Sequence, residues 1–325
     1  MSAIEIARRL DVRTAVSGET LAAELGISRA AVWKRIEALR AAGLGVVAEG
    51  GRGYRLEEAV EWLDAGRIND DLAARRARHA LRVRIHDEVD STMVEVGRAA
   101  SEGAPTGTAC LAEHQRTGRG RRGRAWVSPL GANLYLSLLW RFGGGLGALA
   151  GLNLAIGVAL REALAEVGVR GAALKWPNDV VVGRRKLAGV LVEAGGQWHG
   201  PCHAVIGVGV NWCMRDAVGA GIDQPWTDVR REAGVPVSRN TGAAAVLDAL
   251  HTTLEEFAQS GAAAIVERWH AHDALRGRAV LVHEPHATWR GIAHAVDASG
   301  CLLVDREGAG RVAVAAGEVS VRAVT

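Results

Sequence analysis

The sequence predicts a multidomain α+β fold: an N-terminal winged helix-turn-helix, a central α/β domain on a mixed sheet, and a C-terminal β-barrel of SH3-like size. Three observations predict it. A capped helix with apolar residues at Val32, Ile36 and Leu39 is followed at once by two short strands around a glycine turn. From residue 82, apolar strands alternate with longer helical stripes. After residue 276 the helices stop, and five short strands separated by glycine turns remain. The expected boundaries are 1–62, a linker over 63–81, 82–275 and 276–325.

A chain of 325 residues with 49% hydrophobic content has material for several cores. Its net charge of +3 makes only a weak case for a polyanionic partner. Cys110, Cys202, Cys213 and Cys301 form no C-x-x-C pair and read as thiols of a reducing compartment. The first ten residues carry Glu5, Arg8 and Arg9 and no apolar core, unlike a signal peptide. Phe142 to Leu160 is nineteen residues without charge, but six are Gly and one is Asn153. That stretch reads as a Gly-rich loop leading into a buried helix, not a membrane span. The chain is expected to be cytoplasmic and free of the membrane.

In the first unit Ile4, Ile6 and Leu10 belong to one helix. Ser17 caps a second that stops at Gly26, and Ser28 caps a third that stops at Gly43. Charge on this unit is sorted: residues 28–40 carry Arg29, Lys34, Arg35 and Arg40 against Glu37, and the wing carries Arg52 and Arg55. A helix-turn-helix places its second helix in the major groove, with basic groups on phosphates. Ser28, Arg29, Trp33, Lys34, Arg35 and Arg52 are therefore the expected DNA-facing residues. The linker carries a basic run at Arg75, Arg76 and Arg78, read as a solvated helix face.

In the central unit a strand from Arg82 to His86 precedes Asp90-Ser91-Thr92-Met93. By position alone the two hydroxyls suit a helix cap. A strand from Thr108 to Glu113 leads through Gln115 into Gly118-Arg119-Gly120-Arg121-Arg122-Gly123-Arg124-Ala125-Trp126. Nothing in that loop packs a core. A free backbone with fixed guanidinium forks suits an anionic ligand. Its formal G-x-G-x-x-G is not a dinucleotide fingerprint, because no helix opens at the third glycine and no acid lies near position 138.

Further strands are expected at Asn133–Trp140, Val180–Val182, Leu187–Glu193 and Ala204–Val210. Core helices are expected along Leu149, Leu152, Ile156, Leu160 and Leu164, along Val246, Leu250, Leu254 and Phe257, and at Ile265–Trp269. Lys175-Trp176-Pro177-Asn178-Asp179 reads as a turn, and Lys186 as a charge at a hairpin. Gly207 and Gly209 inside an apolar strand allow a ligand or another backbone to come close, and Asn211 ends that strand.

GRGRRGRAW at 118–126, KWPND at 175–179, RKLAG at 185–189 and GVGVN at 207–211 resemble the bacterial biotin protein ligases. The winged helix makes the chain similar to their bifunctional subclass, which also represses biotin operons. The resemblance spans essentially the whole chain in the same domain order. It implies the fold shared with lipoate ligases, a mixed sheet with helices on one face. It also implies two steps: biotin and ATP give biotinyl-5′-AMP, and the biotinyl group then passes to a lysine of the biotin carboxyl carrier protein of acetyl-CoA carboxylase.

By that resemblance Lys186, Arg121 and Arg119 carry catalysis. Ser91, Thr92, Met93, Gln115, Arg119, Gly120, Arg121 and Lys186 hold biotin, with Gly120 letting the loop close. Arg121, Arg124, Trp126, Asn178, Asp179 and Asn211 hold the nucleotide, with Trp126 as a wall for adenine. Asp179 has two implied roles, a Mg²⁺ contact or the positioning of Lys186. The implied repressor dimerises when it carries the adenylate, its corepressor, and binds operator DNA. Met93 departs from the family's Asn or Gln, and Trp33 from a commoner polar residue. Trp33 has two placements open, on a wing strand or against DNA. A lipoate-type ligase and a biotin-sensing repressor without ligase activity are the competing readings.

Overall fold

The computed structural model describes residues 3–75, 81–284, 287–316 and 320–323. Its first unit is three helices and a hairpin: α1 (Ala3–Ala7), α2 (Gly18–Leu25), α3 (Arg29–Ala41), β1 (Val46–Glu49) and β2 (Gly53–Leu56). The caps form as the sequence suggests. Ser17 accepts a hydrogen bond from the Thr20 amide at 3.0 Å, and Ser28 one from the Ala31 amide at 3.2 Å. Ile6, Leu21, Val32, Ile36 and Leu39 bury one apolar face of each helix in a common core.

The stretch read as a linker differs. It carries α4 (Ala65–Arg75), whose Ile68 and Leu72 lie fully inside the main core of the molecule. Arg75 pairs with Glu166 at 2.6 Å. Arg76 and Arg78 of the expected basic run lie outside the described residues.

The central sheet contains β3 (Arg82–Val89), β4 (Thr108–Gln115), β5 (Leu134–Phe142), β6 (Ala172–Lys175), β7 (Asp179–Val182), β8 (Arg185–Gly196) and β9 (Cys202–Val210), in the order β3-β4-β5-β9-β8-β7-β6. Only the β3–β4 pair is parallel among these ladders. The helices are α5 (Thr92–Ser101), α6 (Leu152–Glu166), two short ones, α7 (Asp216–Gly219) and α8 (Val229–Ala233), then α9 (Arg239–Ser260) and α10 (Ala263–His270). The apolar run from Leu146 to Glu166 is long and apolar enough to cross a membrane, and here α6 packs into the core on α9 and α10.

Period-two alternation decides which face each helix covers. Leu136, Leu138, Ile206 and Val208 point into the large core with α6 and α9. Cys110, Leu139 and Val205 point the other way and meet Met93, Val96 and Ala100 of α5. The expectation of helices on one face is therefore corrected: α5 covers one end of the opposite face. What it leaves uncovered is the stretch of β8 and β9 that carries glycines.

The last unit is an antiparallel sheet of β10 (Ala279–His283), β11 (Thr288–Val296), β12 (Leu302–Arg306), β13 (Gly310–Val314) and β14 (Ser320–Ala323), ordered β13-β12-β11-β10-β14. Its Trp289, Val296 and Leu302 join the main core. The indole of buried Trp176, which precedes a cis Pro177, donates to the Gly300 carbonyl at 3.0 Å. Residues 317–319, among the expected glycine turns and short strands, lie outside the described residues.

Candidate active site

The site is built on missing side chains. In the β8–β9 ladder Gly189 faces Gly209, and Gly207 pairs with Leu191 on one side and Ser137 on the other. A Cβ at Gly209 would lie 2.5 Å from Trp126 Cε2, and one at Gly207 2.6 Å from Met93 Sδ. The backbone thus forms a floor on which Trp126 and Met93 rest. Above it opens a cavity of about 690 Å³, within the range that encloses a drug-sized ligand.

One wall is a hydroxyl and amide network. The Gln115 side-chain carbonyl accepts from the Thr92 amide at 3.0 Å and from Thr92 Oγ1 at 3.2 Å. Its amide nitrogen donates to Ser128 Oγ at 3.1 Å. Thr92 Oγ1 and Ser137 Oγ are 2.8 Å apart. Ser91 occupies the N-cap position of α5 but makes no side-chain cap bond, so its buried hydroxyl is not spent on the helix. Ser137 and Ser128 escaped the sequence reading. The signal for Ser137 was a lone hydroxyl inside the apolar run Leu134–Phe142.

The opposite wall carries charge. A register shift between Val180 and Val181 lets β8 bulge as it enters the sheet, and Lys186 turns into the cavity. Its Nζ lies 2.6 Å from Asp179 Oδ1 and 5.3 Å from the Trp126 ring centre. The Asp179 contact is an ion pair approached off the line of a good hydrogen bond. Asn211 is buried and donates to the carbonyls of Lys186 (3.4 Å) and Thr227 (3.0 Å), which fixes the bulge. Asn178 donates to the Val190 carbonyl at 2.6 Å and accepts from Arg121 at 3.4 Å. Arg121 also donates to the carbonyl of Ala316, in the bend that follows β13. Burial lowers the Arg121 pKa, with Asp179 opposing and Arg122 adding to the shift, and a guanidinium stays charged at neutral pH.

The arginine loop closes on itself. Gly120 N donates to Arg124 O at 2.7 Å and Trp126 N to Gly118 O at 2.8 Å, around a single turn of 3-10 helix at Arg121–Gly123. Arg122 adopts φ 59°, left-handed for a non-glycine residue. Arg119 is exposed, 3.9 Å from Glu193, a pair worth little in water. Arg124 is exposed at the rim. Gly120 is extended, and an added Cβ would meet only Arg124 O at 3.6 Å, so this closure does not require glycine there.

The intolerant position is Gly118, where a Cβ would lie 2.6 Å from Ser128 Oγ and 2.7 Å from Trp126 O. Gly118→Ala is expected to cost about 1–3 kcal/mol of local packing. By shifting Ser128 and Gln115 at the cavity wall it should weaken ligand binding about tenfold, seen as a raised KM in steady-state kinetics.

On the first unit, α3 presents a second surface. Arg40 is held by Glu37 at 2.6 Å and Arg55 by Glu49 at 2.7 Å. Arg29, Lys34 and Arg52 are exposed and have no ion pair among the described residues. Arg35 is half-buried. Trp33 is 59% exposed, which places it off the wing strands and on the open face of the helix.

Known proteins match this arrangement. Residues 87–211 match the biotin/lipoate A/B protein ligase family, and residues 2–55 match a helix-turn-helix domain. The chain is 40% identical over 296 residues to the bifunctional ligase/repressor BirA of Salmonella typhimurium, covering 90% of this chain and 89% of that one. It is 34% identical to the biotin–[acetyl-CoA-carboxylase] ligase of Paracoccus denitrificans over 71% of this chain and 96% of that one. The biotin protein ligase of Aquifex aeolicus, solved with biotin and ATP, superposes with a TM-score of 0.64 at 27% identity, over 75% of this chain and 99% of that one.

Proposed function

The chain belongs to the bifunctional biotin protein ligase/repressor family, and from that membership we propose how its residues divide the two activities. The observation that carries the proposal is the Lys186–Asp179 pair beside the glycine floor, under a loop of four arginines.

The chain makes biotinyl-5′-AMP and transfers the biotinyl group to protein. In the first step a biotin carboxylate oxygen attacks the α-phosphorus of ATP. The bond to the α,β-bridging oxygen breaks, and pyrophosphate leaves with its electrons. Two anions must approach before this happens, so fixed cations that need no reorganisation are what catalysis requires. Lys186 is placed to leave Asp179 and bridge carboxylate and α-phosphate. Arg119, Arg121 and Arg124 neutralise the rest. In the second step a carrier lysine nitrogen attacks the anhydride carbonyl, AMP leaves, and the ammonium proton passes to solvent.

Thr92, Gln115 and Ser91 offer the polar contacts for the biotin ring, and Met93 lines the same end. Trp126, Asn178 and Asn211 face the nucleotide, Asn211 chiefly by holding the Lys186 bulge. Mg²⁺ fits as a nucleotide-borne ion. Among the described residues no three His, Cys, Asp or Glu side chains cluster, but one carboxylate, Asp179, plus phosphate oxygens is an ordinary Mg²⁺ environment. When bound, the ion would neutralise phosphate charge.

The same reading extends to the whole chain. The units run 1–62, 63–81, 82–275 and 276–325, the last an SH3-like module. The acceptor is the biotin carboxyl carrier protein of acetyl-CoA carboxylase, and the setting is cytoplasmic, without membrane association. Arg29, Lys34, Arg35 and Arg52 address operator phosphates, Ser28 donates its hydroxyl proton to one, and Trp33 meets the groove. The adenylate-bound chain forms a homodimer through the central sheet and spans two half-sites. In a gel shift on the biotin operator, biotin plus ATP should tighten binding; equal binding without them would contradict the repressor half.

Arg121→Gly removes the bonds to Asn178 and Ala316 without touching Lys186. The variant should still form the adenylate but release it early, seen as biotin on bystander lysines of an added protein. Wild-type retention would refute the holding role of Arg121.

A further inference from the structure

We propose that residues 126–131 act as a strut through which the docked winged helix positions the ligand pocket, with Leu130 as its positioning residue. The proposal rests on the reading of Gln115 and Trp126 as ligand contacts.

At one end, Trp126 lies on the glycine floor and its amide is held by Gly118. Two residues on, Ser128 Oγ donates to Trp126 O at 3.0 Å and accepts from Gln115 at 3.1 Å, while Ser128 O contacts His114 Nδ1 at 2.7 Å. Pro129 O accepts from Tyr135 OH at 2.7 Å. At the far end, the Leu130 amide donates at 2.8 Å to the carbonyl of Ala42, the residue that ends α3. The Leu130 side chain, 3% exposed, lies in the core of the winged helix rather than in that of its own domain. Pro129 lies so close to Gly43 that a Cβ there would come within 2.9 Å of its own. Gly131 returns to the sheet through Glu113 O at 3.0 Å.

These residues span about 20 Å at most. Successive links leave little slack, so a shift of α3 moves Ser128, and with it the Gln115 amide that orders Thr92. Glu61 and Trp62, just past the wing, accept hydrogen bonds from Ser238, Arg239 and Asn240 at the start of α9, and Arg215 donates to the Gly43 carbonyl at 3.4 Å. The two units also share ion pairs at the rim, Arg8–Asp87 (2.7 Å), Arg230–Glu58 (2.6 Å) and Arg215–Glu57, and these are partly exposed. Such pairs transmit little. Coupling through the strut is reciprocal: a ligand that fixes Trp126 and Gln115 fixes the end of α3, and DNA that fixes α3 retains the ligand.

The test is the release rate of preformed biotinyl-adenylate from the full chain, with biotin KM and kcat for pyrophosphate release. Leu130→Ala should release the adenylate about tenfold faster and raise the KM with little change in kcat, within the usual range of coupling between sites. Leu130→Met should restore wild-type release. Leu21→Ala truncates the same core off the strut and should also release at the wild-type rate. Should Leu130→Ala fail to fold, Tyr135→Phe removes the hydrogen bond to the Pro129 carbonyl, keeps the Leu130 side chain in the core, and should speed release. Wild-type release from Leu130→Ala, or equal acceleration by Leu21→Ala, would overturn the strut. A wild-type chain forming no adenylate would overturn the pocket reading as well.

Discussion

Lys186→Met should lower pyrophosphate release from biotin and ATP by about a hundred- to a thousandfold, the usual effect of removing one preorganised charge stabiliser from a dry site. The side chain is retained in length, and Met still packs on Trp126. What is lost is the ammonium group that lines the cavity 2.6 Å from Asp179. Because Lys186 acts where charge gathers in the transition state, kcat should fall more than biotin affinity. The carrier step should be spared: Lys186→Met loaded with synthetic biotinyl-adenylate should label a carrier domain at a rate close to wild type. Equal loss in both half-reactions would mean that Lys186 holds the pocket together instead. Stopped-flow pyrophosphate detection and a carrier-labelling time course check the two halves separately.

Arg239→Met should destabilise the chain by about 3–5 kcal/mol, the cost of leaving one partner of a buried ion pair alone. Arg239 is 3% exposed and Glu113 is fully buried, 2.9 Å apart. Arg239 also donates to the carbonyls of Glu61 (2.7 Å), Gly131 (3.0 Å) and Asn133 (2.9 Å). Glu113 accepts from the Leu63 amide at 2.5 Å. The pair ties the 57–64 segment, α9 and β4 into one hub two residues from Gln115. Denaturant melts should show the loss as a lower midpoint. An unchanged midpoint would mean that the hub is replaceable by apolar packing, which buried pairs sometimes are. Proteolysis should open first at residues 57–64.

The winged helix was legible because its signals are local. Ser28 and Gly43 bracket a helix whose apolar residues fall on one face, and both β1 and β2 follow within fifteen residues of its end. The glycine floor was legible too, since Gly207 and Gly209 interrupt an apolar strand at its own period. The helix α4 was not, because Ile68 and Leu72 are only two apolar residues among Asn69, Asp70 and Asp71. Its burial comes from α9, far along the chain.

Glu113 gave half a signal. A carboxylate inside an apolar strand demands a cation, but its partner is 126 positions away and nothing local names it. Helices on one face came with the resemblance, and the residues could not correct it, because alternation shows that two faces differ, not which helix covers each. Trp126 was expected as a wall for adenine. In this structure it lies along Gly189 and Gly209, a placement only the packed backbone reveals. Ser128 joins Trp126 to Gln115 through a bond between side chains thirteen residues apart, beyond the reach of periodicity.

The central claim is that this pocket joins biotin, through its adenylate, to a protein lysine. The most direct measurement supplies the purified chain with ATP and a carrier domain, and offers labelled biotin and labelled lipoate in parallel. The account expects ATP-dependent label on the carrier from biotin, with one pyrophosphate released per biotin transferred, and none from lipoate. Label from lipoate, or biotin bound without pyrophosphate release, would contradict it.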